Sequence, residues 1–253
     1  MLDRLIVFLV PLSIMGFFVR ILIDPQSIYL LGLILLLIFF SLAKFYSWKF
    51  KNKNFWYFLI TPILFCISSV LFFCFLEINL FLKYFLIILF TSFQWLIYKN
   101  IFFVLKMIQK YQPNTIRNIF NFVNLISIFF FAVGFFALIV LVRVPAWPMA
   151  IILFLVSVLY FFQFFWINKI QEKKAWFSAI ISAIIFVEMF FVISFLPTSF
   201  YVDALILALI YFNIKNLGKK HLLNNLIVKR DAIKYLIIDF FVLIFILTTA
   251  QYH

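Results

Sequence analysis

A chain of 253 residues that is 68% hydrophobic and only 11% charged cannot cover a water-facing surface, since a soluble domain carries roughly a quarter of its residues as charges. Its apolar residues form long unbroken runs, with mean hydropathy +1.22. That excludes outer-membrane barrel strands, which alternate polar and apolar positions. The net charge of +13 would suit nucleic acid, but most cations border apolar runs, where they set topology and meet anionic headgroups. The predicted partner of those cations is therefore the lipid bilayer, through anionic headgroups on its cytoplasmic side, and no nucleic acid.

The predicted fold class is all-α: a polytopic integral membrane helical bundle of about nine transmembrane helices in a single transmembrane domain. Spanning requires ~20 apolar residues, and in chain order the predicted spans are 5–23, 27–43, 55–76, 80–98, 119–142, 147–167, 175–196, 199–214 and 235–250. The first is read as a span and not as a cleavable signal, because it lacks a small-residue cleavage site. Outer turns are short and carry proline, as in IDPQS at 23–27, VPAWP at 144–148 and LPTS at 196–199. Proline there ends one helix and starts the next without wasting a backbone donor.

Charge tests the count independently. With a cytoplasmic N-terminus, eighteen of the 21 basic residues fall on the inner side and only Arg20, Lys83 and Arg143 on the outer. This asymmetry is what the positive-inside rule demands. The expected location is the cytoplasmic (inner) membrane of a bacterium; 41 Phe and 16 Lys against 5 Arg point to an AT-rich genome. An organellar inner membrane is the alternative.

A shift of 120 residues aligns Pro25 with Pro145, Lys49 with Lys169, Trp56 with Trp176 and Lys99 with Lys219. A 4+4+1 parallel repeat is one reading, because an even number of spans preserves orientation; similar loops attracting similar residues is the other. Between the last two spans, Leu222, Leu223, Leu226 and Ile233 recur at helical spacing among Lys219, Lys220, Lys229 and Arg230. This predicts a cytoplasmic interfacial helix over 218–234.

Chemistry narrows to few residues. Glu188 falls ~4 Å outward of the centre of the seventh span, where an ionised acid costs about 2.5–3.5 kcal/mol on insertion scales. Asp203 follows across the LPTS turn, and Asp239 lies about one turn into the ninth span. Glu188, Asp203 and Asp239, with Arg20, Lys83 and Arg143, form a candidate buried charge cluster. It is either an ionic clasp or an outward-facing ion or substrate site. Ser178 and Ser182, Ala179 and Ala183, and Ala204 and Ala208 are small residues four apart, the spacing that lets membrane helices pack closely.

No P-loop, GxGxxG or GxSxG occurs. The two histidines, His221 and His253, lie outside the spans. Cys66 and Cys74 are about 12 Å apart along one helix and read as unpaired small hydrophobes. With both histidines outside the spans, buried bis-histidine haem and a histidine-based zinc site are not expected, and no lysine falls deep in a predicted span to attach retinal; the expectation is no cofactor and no metal. The leading expectation is an integral membrane protein without evident catalytic chemistry, a scaffold or membrane subunit that meets other membrane subunits or a second copy of itself. The alternative is a small transporter or channel-like permease with an outward-facing acidic and basic site. A lipid-modifying enzyme ranks last, for want of an acid–base pair at one headgroup level.

Overall fold

The computed structural model describes residues 2–48, 50–76, 79–107 and 114–224. These residues form a polytopic bundle of eight helices and no strand; each is long and apolar enough to cross a membrane, the second when taken together with the 3-10 segment before it, over Pro25–Phe45. The helices are α1 (Leu2–Ile23), α2 (Leu31–Phe45), α3 (Lys53–Cys74), α4 (Leu80–Lys106), α5 (Thr115–Leu141), α6 (Ala146–Ile167), α7 (Glu172–Ile193) and α8 (Phe200–Asn224), with a 3-10 segment at Pro25–Leu30 before α2. The ninth predicted span lies outside the described residues, as do Glu77, Asp239, Lys229 and Arg230.

Most helices start and stop where apolar runs predict, but α4 and α8 overshoot. The predicted spans ended at 98 and 214, whereas the helices run to Lys106 and Asn224. Hydropathy reads the length inside hydrocarbon, while a helix continues as long as its residues favour it. Residues 218–224, predicted to begin an interfacial helix, instead continue α8 without a break.

The chain divides into two compact units, Met1–Val123 and Asn124–His253, with the boundary inside α5. In the first unit α1 packs along α4 and α2, and α2 along α3. Rings also join these helices to α3 and to the start of α5: Phe18 on α1 meets Phe73 on α3 at 5.7 Å and Phe90 on α4 at 5.6 Å, and Phe58 on α3 meets Phe120 on α5 at 5.9 Å. In the second unit α7 is sandwiched by α6 and α8. There Phe161 lies against Phe186 at 6.0 Å and Tyr211 at 4.9 Å, and Phe136 stacks on Phe190 at 4.9 Å.

Hydroxyls in the apolar medium are satisfied largely within their own helices. Ser13 donates to the Val10 carbonyl, Ser69 to Phe65, Thr91 to Ile87, Ser157 to Phe154 and Ser194 to Phe191, all at 2.7–2.9 Å. This back-bonding lets a hydroxyl sit in hydrocarbon without a neighbour.

Two helix ends share one device. After α2, the Ser47 and Trp48 amides donate to the Lys44 and Ala43 carbonyls at 2.9 and 2.8 Å; after α6, those of Lys169 and Ile170 donate to Trp166 and Phe165 at 2.9 and 3.2 Å. Both are Schellman closures. With four glycines in the chain, the left-handed position falls to Ser47 (φ 52°) and Lys169 (φ 62°).

The 120-residue shift has further counterparts. Phe45 lies beside Tyr98 where α2 meets α4, with centroids 6.3 Å apart. Phe165 and Gly218 occupy the equivalent positions where α6 meets α8; a Cβ at Gly218 would stand 3.1 Å from the Phe165 ring. In the first unit the gap is filled by a second ring, and in the second by the approach of backbone.

Candidate functional site

The sequence-predicted charges sit in distinct settings. Two outer-turn acids are local caps. Asp24 accepts from the Gln26 amide and the Ser27 hydroxyl, each at 3.1 Å, and so starts the 3-10 segment. Asp203 is buried at 3% exposure in the first turn of α8 and accepts a short hydrogen bond from the Thr198 hydroxyl. The Ser199 carbonyl takes the Val202 and Asp203 amides at 2.8 and 3.1 Å, closing the same turn. A carboxylate there also meets the positive end of the helix dipole. Asp203 thus fixes how the chain re-enters the bundle after α7. The signal was present in the sequence as Thr198-Ser199 followed by an acid within the next turn.

Arg20 reaches Asp24 at 3.9 Å with both side chains substantially exposed, a contact of ~0–1 kcal/mol at a wet surface. Arg143 is exposed after the end of α5, with φ 58°, and Lys83 is half-buried in the first turn of α4. In the second unit neither Glu188 nor Asp203 makes an ion pair with Arg143 among the described residues. No clasp joins the three: Asp203 is satisfied within its own turn, and Arg143 points to the exterior.

Glu188 is the exception among the acids. It is exposed on α7 and has no hydrogen-bonding or ionic partner among the described residues. The small residues explain which way it faces. Ala175, Ala179 and Ala183 are fully buried and, with Ser182, Phe186 and Phe190, form the face that α7 turns into its unit. Ala204 and Ala208 are buried on α8, while Ser178 is half-buried. On the opposite side Phe177, Ile181, Ile184, Glu188, Val192 and Phe195 form an exposed stripe at helical spacing. A carboxylate about four turns into a 22-residue span therefore lies on the outward, apolar side of the unit.

One buried cation was missed. Lys215, predicted to lie in a cytoplasmic loop, is inside α8 at 3% exposure, so a lysine does fall within a span. Its ammonium lies 5.2–5.6 Å from the ring centres of Phe164, Tyr211 and Phe212, within the range of cation–π attraction. Elsewhere in the second unit α5 and α6 share buried polar pairs: Asn124 donates to Gln163 at 2.9 Å, and Ser127 shares a short hydrogen bond with Tyr160. Aromatic residues one turn before Lys215 are the sequence feature that could have revealed it. Lys219 and Lys220 follow half-buried near the end of α8.

No group of three or more metal-ligating side chains occurs among the described residues. Comparison with protein-family models, with curated proteins and with solved structures found no match.

Proposed function

We propose that the chain is a membrane subunit of a larger assembly, docking in the plane of the bilayer through the α7 face that carries Glu188. The observation behind this reading is the orientation of that carboxylate. Left against lipid tails, the ionised acid costs about 2.5–3.5 kcal/mol. A neighbouring helix presenting a basic or hydrogen-bond-donating side chain at that depth offsets the cost. The partner is a second transmembrane chain, or a second copy of this one, with a donor facing the exposed stripe. The distribution of basic residues favours the cytoplasmic membrane of a bacterium, with the N-terminus inside.

The test compares wild type with Glu188→Leu after extraction in mild detergent, by native mass measurement. Wild type should run as an assembly. The leucine variant should dissociate at about tenfold higher protein concentration than wild type, the scale of one strong interhelical polar contact, while its monomer keeps wild-type thermal stability. A monomeric wild type, or an assembly indifferent to the substitution, overturns the reading.

A further inference from the structure

We infer that the first unit holds an anionic phospholipid in a groove between the start of α1 and the end of α4. The groove has a volume of about 350 Å³ and is lined by Val7, Phe8, Trp95, Lys99, Phe103 and Met107, among others. That volume falls in the range of about 300–1,000 Å³ typical of small-ligand sites. Its walls are largely apolar, and Lys99 is the one charged residue among those that line it. The Trp95 indole nitrogen is buried and has no acceptor. The Lys99 ammonium stands 4.6 Å from the Trp95 ring centre and 5.9 Å from that of Phe103, with no anionic partner among the described residues.

A buried donor without an acceptor costs about 1–3 kcal/mol, and a cation held only by ring faces keeps most of its capacity to bind an anion. The two polar atoms belong to residues one turn apart on α4, beside an otherwise greasy wall. This complements a phospholipid: acyl chain against Phe8 and Phe103, phosphate on Lys99, and, once the Trp95 ring turns toward the groove, an ester or phosphate oxygen on the indole N–H. The same end of the unit carries Lys44 in the last turn of α2, Lys53 at the start of α3 and Lys106 in the last turn of α4. Such clustering draws anionic headgroups to that leaflet.

The test uses the full chain in detergent with equal amounts of phosphatidylglycerol and phosphatidylcholine, read by native mass spectrometry. Wild type should retain phosphatidylglycerol about tenfold over phosphatidylcholine, the scale of one charge-assisted contact. Lys99→Gln should bring the two lipids to near-equal retention, and Lys99→Arg should keep the preference. A phosphatidylglycerol with a photoreactive acyl chain should label wild type within α1 and α4, which decides the matter even if a variant misfolds. Equal retention of both lipids by wild type, an unchanged preference in Lys99→Gln, or label confined to other helices overturns the proposal.

Discussion

Ala183→Leu should cost about 3 kcal/mol, the upper part of the usual range for overpacking a tight interface. Ala179 and Ala183 are both completely buried on the face where α7 packs along α6 and α8. In a membrane, helices gain little by hiding from lipid, so close approach and dispersion contacts hold them together. Three added carbons in a site with no exposed surface push the backbones apart, and every contact along the pair weakens at once. Thermal inactivation in detergent should show a clear loss of folded protein. Ala183→Ser should fall within about 1 kcal/mol of wild type, because it adds one small atom that can bond to its own helix. Ile184→Leu is the control: Ile184 is 46% exposed and the exchange should be silent. A wild-type melting curve for Ala183→Leu would show that α7 is not held by close approach.

Phe161→Ala should be nearly as damaging, at about 3 kcal/mol. Phe161 is fully buried and touches three rings from three helices: Phe165 on α6, Phe186 on α7 and Tyr211 on α8. Part of the usual cost of such a truncation is transfer from water, which hardly applies when the alternative environment is lipid. The cavity and the lost ring–ring contacts remain, which sets the estimate at the low end of the range of ~3–5 kcal/mol seen in soluble cores. Phe195→Ala, at a site 84% exposed, should change the unfolding midpoint by less than about 0.5 kcal/mol. Equal unfolding curves in denaturing detergent for the two alanine variants would remove Phe161 from the core.

What could be read from the sequence follows from what lipid does to an amino-acid pattern. Eight apolar helices through residue 224 were legible, because ~20 apolar residues in a row have few other uses, but the far ends of α4 and α8 were not. The packing face of α7 was half legible. Ala179, Ala183 and Ser182 mark close approach, yet their four-residue spacing does not say which neighbour they meet.

The outward direction of Glu188 was not legible. In water a helix shows its buried side by hydrophobic periodicity, but here both sides of α7 are apolar and the contrast disappears. Lys215 failed for a related reason. A cation beside a predicted span end was counted as loop, because charge marks the edge of hydrocarbon only when no aromatic cage holds it further in. Asp203 was assigned to a charge cluster because its depth was legible and its hydrogen bond to Thr198 was not.

The return of so many hydroxyls to their own helices has a consequence for how this bundle changes over time. Where hydroxyls turn back in this way, one helix meets its neighbour by the outline of rings, and donor–acceptor matching is left to pairs such as Asn124 with Gln163 and Ser127 with Tyr160. Exchanges among phenylalanine, leucine and isoleucine on lipid-facing positions away from the α7 stripe should cost little. A misfitting ring inside, by contrast, has to be met by a matching change in the ring it faces, as with Phe136 and Phe190.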